Sequence, residues 1–145
     1  MIEVPLLRLD PDLPLPSYAQ PGDAGADLIA RENATLTPGG GRAAIATGVA
    51  LALPPGFAGF VQPRSGLARD HGITCLNTPG LIDSGYRDEI RVLLVNTDPF
   101  EPYQVRRGDR IAQLVVQRVE AVSFSVVDQL VASERGVGGW GHSGR

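Results

Sequence analysis

Arg42-Ala-Ala-Ile-Ala-Thr-Gly-Val-Ala-Leu-Ala-Leu-Pro54 decides the fold class. Ile45, Thr47, Val49, Leu51 and Leu53 fall on one face at period two, and Ala44, Ala46, Gly48, Ala50 and Ala52 on the other. Large side chains facing one way and small ones the other is strand periodicity, in spite of the alanines. Beyond the Pro54-Pro55-Gly56 turn, Gly56-Phe-Ala-Gly-Phe-Val-Gln-Pro63 is expected to return as the second strand of a hairpin. Further strands are expected over Tyr86 to Asn96 and Arg110 to Val119, apolar on both faces as strands between two layers are, and over Val122 to Val127. One short helix is expected from Ser65 to Asp70. The 18 glycines and 12 prolines among 145 residues, about a fifth of the chain, leave little room for long helices. The class read from these features is all-β, a sandwich or barrel of short strands.

Composition narrows the chemistry. Hydrophobic residues are 43% and charged residues 20%, as in a folded domain. The formal charge of −3 argues against nucleic-acid and anionic-membrane partners, and no run of about 18 apolar residues offers a membrane span. A soluble cytoplasmic protein is the expectation. One cysteine, Cys75, allows no internal disulfide and reads as a small core residue. All 13 basic residues are arginine. Without lysine, Schiff-base chemistry and the lysine-dependent phosphate loop are excluded. Any phosphate must be held by arginine forks, backbone N–H groups and metal.

Five segments carry more chemistry than scaffold needs. Pro21-Gly-Asp-Ala-Gly-Ala-Asp-Leu28 holds two carboxylates among small residues; taken alone it reads as a turn with Asp23 capping and Asp27 solvated. Pro63-Arg-Ser-Gly-Leu-Ala-Arg-Asp-His-Gly72 ends a strand and enters the helix. It joins the Arg64 guanidinium, the Ser65 hydroxyl and free N–H groups, the donors an oligophosphate takes, or else a plain serine N-cap. Asn77 to Arg91 has bends at Pro79-Gly80 and Asp83-Ser-Gly85 and reads as a hairpin presenting Asn77, Asp83 and Tyr86. Gly108 to Arg118 is mostly core strand, with Gln113 placed to face a ligand or a neighbouring strand. Glu134 to Arg145 is a glycine-rich arm containing Arg135, Trp140, His142, Ser143 and Arg145. Its Gly136, Gly138 and Gly141 lack the strand-to-helix context of a dinucleotide site. His71 and His142 have no partners at zinc-ligand spacing, and a Ser65 hydrolase triad lacks the nucleophile elbow.

Together the five segments resemble the five ordered motifs of the trimeric deoxyuridine triphosphatase (dUTPase) family. They match through Asp23-Ala-Gly-Ala-Asp-Leu28, Pro63-Arg-Ser-Gly-Leu67, Gly80-Leu-Ile-Asp-Ser-Gly-Tyr86, Gly108-Asp-Arg-Ile-Ala-Gln-Leu114 and Arg135-Gly-Val-Gly-Gly-Trp-Gly-His-Ser-Gly144. The similarity runs from about residue 8 to the end. Trp140 stands where many members carry phenylalanine, and Arg69 and Arg91 where lysine is frequent. The resemblance implies a jelly-roll domain over residues 1–133, a flexible active-site arm over 134–145, and a homotrimer whose sites draw motifs from all three chains. It implies hydrolysis of dUTP to dUMP and pyrophosphate, with Mg²⁺ as cofactor. Asp83 would be the general base and Tyr86 the residue packing the deoxyribose. Asn77, Leu81, Ile82 and Arg91 would bind the nucleoside, and Arg64, Ser65, Gly66 and Gln113 the phosphates. Asp27 would hold magnesium through water, and Arg135, Trp140 and Ser143 would close over the ligand. A dCTP deaminase, a nucleotide sensor without turnover and a purely structural sandwich are the alternatives.

Overall fold

A computed structural model describes residues 2–134 and 136. Their secondary structure is eleven short strands and one short helix. In chain order these are β1 (Leu6–Arg8), β2 (Ala26–Ile29), β3 (Ala34–Leu36), β4 (Arg42–Ala46), β5 (Val49–Leu51), β6 (Phe57–Gln62), α1 (Ser65–His71), β7 (Ile73–Cys75), β8 (Gly80–Ile82), β9 (Arg91–Asn96), β10 (Tyr103–Val105) and β11 (Arg110–Arg118). All pairings between them are antiparallel. A four-stranded sheet runs β2-β11-β6-β8, a three-stranded sheet β4-β9-β7, and β1-β5 and β3-β10 form two-stranded ribbons. The result is a jelly-roll-like sandwich, as expected.

The two larger sheets meet in one core. Leu28, Ala112, Leu114, Val61 and Ile82 come from the first; Ile45, Val92, Leu94, Ile73 and Cys75 come from the second. Each fully buried leucine or isoleucine contributes about 1.5–3 kcal/mol by leaving water. No helix among the described residues is long and apolar enough to cross a membrane.

Several local expectations are corrected. The stretch from Arg42 to Leu53 is two strands, broken at Thr47-Gly48. Gly48 has φ +75°, and a Cβ there would lie 2.9 Å from that of Asp10, so the break needs glycine. β5 and β6 are not a hairpin: β5 pairs with β1, and β6 with β11 and β8. The strand expected from Tyr86 begins at Arg91. Val122 to Val127 has the alternation of a strand but no ladder partner among the described residues, and it forms none. Val122, Phe124 and Val126 are 67%, 91% and 98% exposed. The helix is capped by Arg64 backbone with no side-chain cap, so Ser65 is not an N-cap.

A half-buried ionic network braces the β4–β5 and β10–β11 connections. Asp10 accepts a two-pronged bond from Arg107 and faces Arg31 at 3.3 Å. The Arg107 hydrogen bonds hold its carboxyl at about 2, below the usual carboxylate range. A depressed carboxylate contributes stability that is present above its unfolded value near 3.8 and is lost as pH falls through about 2. Asp10→Asn should therefore lower the melting temperature at pH 7, with the gap to the parent closing as pH falls from 4 toward 2. Parallel thermal melts across that range check it, and a gap independent of pH would show that the carboxylate's charge is not the stabilising element.

Candidate functional site: two hollows along one sheet

The first hollow is built on register. Asp27 of β2 pairs with Gln113 of β11, and Gln113 pairs with Gln62 of β6. Three polar side chains therefore stand abreast on one face of the sheet. After Gln62 the chain turns through Pro63 into α1, setting Arg64, Ser65 and Gly66 beside that row. A cavity of about 440 Å³ opens there, lined by these six residues together with Asp23, Gly25 and Arg110.

The cavity is a carboxylate ringed by donors. Asp27 is only 17% exposed, not solvated as its sequence suggested. Arg64 Nε lies 3.4 Å from one carboxylate oxygen and Arg110 Nη1 3.4 Å from the other. Arg64 Nη1 also donates to the Arg110 carbonyl at 3.0 Å, locking the two arginines to one wall. Gln113 Nε2 donates to the Pro63 carbonyl at 3.0 Å. A Cβ at Gly25 would lie 2.4 Å from Gln113 Oε1, so the small residue at 25 is what admits the glutamine. Asp23 makes the turn, accepting the Gln20 N–H at 2.8 Å. Two guanidiniums with exposed surface, an amide and a hydroxyl around one hollow suit a polyanion.

The second hollow is smaller, about 170 Å³, and is lined by Val61, Asn77, Gly80, Leu81, Ile82, Tyr86 and Arg91. A Cβ at Gly80 would crowd the Asn77 amide at 3.2 Å. The Tyr86 hydroxyl donates to the Glu89 carbonyl at 2.9 Å, and the Tyr86 N–H donates to the Asp83 carbonyl at 3.0 Å, closing the Asp83-Ser-Gly85 bend. The segment is not a paired hairpin, however. β8 lies in the four-stranded sheet and β9 in the three-stranded one. The two hollows have no lining residue in common.

A family model described as dUTPase matches residues 12–144. The chain belongs to the dUTPase family. A deoxyuridine 5'-triphosphate nucleotidohydrolase of Thermobifida fusca is 59% identical over 143 residues, covering 99% of this chain and 79% of the relative. One from Nocardia farcinica is 55% identical over 141 residues, covering 97% and 85%. Among solved structures, the Staphylococcus bacteriophage 80alpha dUTPase with dUPNHPP superposes with TM-score 0.89 at 26% identity over the full length of both chains.

On this dUTPase scaffold the residues expected from sequence fall into two groups. Asp27, Arg64, Ser65, Gly66 and Gln113 meet in the larger hollow, and Asn77, Leu81, Ile82, Tyr86 and Arg91 in the smaller. Asp83 is exposed at the end of β8 and lines neither. Arg135, Trp140 and Ser143 lie outside the described residues. Gln62 and Arg110 were not singled out from sequence. Both sit beside Asp27 only through strand register, and β11 shifts register between Arg110 and Ala112. Arg110 also reads, in sequence, as the edge of a core strand.

Proposed function

We propose that the protein hydrolyses dUTP to dUMP and pyrophosphate, as a homotrimer in the cytoplasm. That activity keeps uracil out of DNA and supplies dUMP for dTTP synthesis. The observation that carries this reading is the Asp27 carboxylate flanked by Arg64 and Arg110 in a hollow of about 440 Å³ lined by polyanion-binding donors. The 80alpha enzyme, solved with dUPNHPP, supports it from outside this chain.

In this mechanism the triphosphate lies against Arg64, Ser65, Gly66 and Gln113, and the nucleoside lies in the hollow of Asn77, Leu81, Ile82, Tyr86 and Arg91. The Asp83 carboxylate takes a proton from a water that attacks the α-phosphorus in line. The α–β anhydride bond breaks and pyrophosphate leaves. Residues 1–133 form the jelly-roll domain. The segment 134–145 acts as an active-site arm, bringing Arg135 and Ser143 to phosphate and Trp140 to the base, so that bulk water is excluded.

Magnesium fits in a limited way. Among the described residues no three His, Cys, Asp or Glu side chains cluster, and Asp27 is one carboxylate already flanked by two arginines. That set does not build a resident cage, but it suits a Mg²⁺ carried in by the triphosphate and held by Asp27 through its waters. The ion would neutralise charge on the leaving pyrophosphate.

Two features favour sites shared between copies. Asp83 stands outside both hollows, and the hollows are separate within one chain. In addition, Val122, Phe124, Val126, Val127, Leu130 and Val131 expose a run of apolar surface that a second copy would cover.

Pyrophosphate release measured across the deoxynucleotides and UTP tests the reading. It should appear with dUTP and be weak with UTP, because a Tyr86 ring packed on the bound sugar would leave a 2′-hydroxyl crowded and unpaired. Tyr86→Ala should raise UTP turnover relative to dUTP; an unchanged ratio would place sugar discrimination elsewhere. Ammonia release from dCTP would mark a deaminase instead.

A further inference from the structure

Glu89 lines neither hollow, yet two of the three polar side chains lining the smaller one, Tyr86 and Arg91, lead to it. Its side chain is 10% exposed. Carboxylate oxygen Oε1 accepts the Gly48 N–H at 2.8 Å and Arg31 Nη1 at 3.2 Å. Oxygen Oε2 faces Arg91 Nη2 at 3.9 Å. The backbone carbonyl of the same residue receives the Tyr86 hydroxyl. Behind Arg31 stands the Asp10–Arg107 pair. Residue 89 thus connects Tyr86, through its carbonyl, and Arg91, through its carboxylate, to a brace anchored at the β4–β5 break and the β10–β11 connection.

We propose that Glu89 is a positioning residue that sets sugar selectivity by pinning the Tyr86 ring and the Arg91 guanidinium. The inference rests on the smaller hollow being the nucleoside site. Tyr86 is anchored at its hydroxyl only through the backbone of residue 89, so the latitude of that backbone is the latitude of the ring. That backbone is tied at Ile90, whose N–H donates to the Val49 carbonyl at 2.9 Å and whose carbonyl accepts from Thr47. The Glu89 carboxylate on Gly48 and Arg31 adds its charged anchor. Arg91 is 56% exposed, and Glu89 is its one ionic partner among the described residues. Remove the carboxylate's charge and both side chains gain freedom. A displacement of about 1 Å is enough to degrade a positioned site severely, and here it would make room for a hydroxyl.

The test compares kcat and KM for dUTP and UTP in full-length Glu89→Gln and in Asp10→Asn, which weakens the Asp10–Arg107 pair while leaving the Glu89 contacts to Gly48, Arg31 and Arg91 in place. Glu89→Gln should raise the KM for dUTP about tenfold with kcat within about threefold, and raise the UTP-to-dUTP ratio of kcat/KM about tenfold. Asp10→Asn should lower the melting temperature and leave that ratio within about twofold. If Glu89→Gln does not fold, Arg31→Met removes the charged partner of Oε1 while keeping Glu89 and its Gly48 bond, and a ratio raised about threefold is then expected. An unchanged ratio in a folded Glu89 or Arg31 variant, or an equal shift in Asp10→Asn, overturns the proposal. Absence of dUTP turnover in the parent would sink the functional reading instead. Equilibrium binding of dUMP against UMP then reads the positioning role separately, with the same pattern expected.

Discussion

Asp83→Asn should leave the protein folded and binding dUTP while turnover falls about 10²–10⁴-fold, the usual contribution of a positioned base. The asparagine amide keeps the shape and the hydrogen-bonding reach of the carboxylate but cannot accept a proton from water. Folding should be untouched, because Asp83 is exposed and the bend it begins is closed by its backbone carbonyl, not its side chain. The effect should therefore fall on kcat with KM nearly constant. Pyrophosphate release under saturating dUTP, beside calorimetric binding of a non-hydrolysable analogue, makes the measurement. Turnover within about tenfold of the parent would remove Asp83 from the base role.

The second large effect is expected far from either hollow. Phe124→Asp and Val126→Asp place a charge on surface that is 91% and 98% exposed in the single chain, where such a change should cost the fold nothing. If that surface is covered by another copy, the same change buries an unpaired carboxylate at several kcal/mol. Light scattering should then fall from the trimer toward the 15.3 kDa chain, and activity should fall with it by about two orders of magnitude or more. A variant that is monomeric and fully active would end the shared-site reading.

How far the sequence carried depended on whether a feature was local. The alternation from Ile45 to Leu53 marked strand correctly, because period two is a property of neighbouring residues. Its break at Gly48 was hidden, since a glycine among alanines fits the small face equally well and only the approach of Asp10 reveals its role. Pairing was less legible still. The 54–56 turn suggested a hairpin, but the partners of β5 and β6 lie far along the chain in β1 and β11. Val122 to Val127 shows the same limit from the other side: the pattern is that of a strand, while a strand exists only with a partner. Motif residues were found because each tight run, such as Asp23 to Asp27, has few other uses for its small residues. Arg110 and Gln62 were not, because each comes beside Asp27 only through the register of neighbouring strands, and Glu89 was not, because its partners Gly48 and Arg31 lie far from it in the chain.

The burial of Cys75 and the absence of lysine have a practical outcome at the bench. Desolvation pushes the Cys75 thiol up to about 11, so near neutral pH it is neither ionised nor within reach of reagents. The chain thus offers maleimides no reactive sulfur and amine esters no side chain. Bifunctional cross-linkers that depend on lysine or on an accessible thiol would return a false negative on subunit association. By the same token, one cysteine introduced at an exposed position would be the sole thiol to label. A dye or spin probe placed there would report from a single known site with no background to subtract.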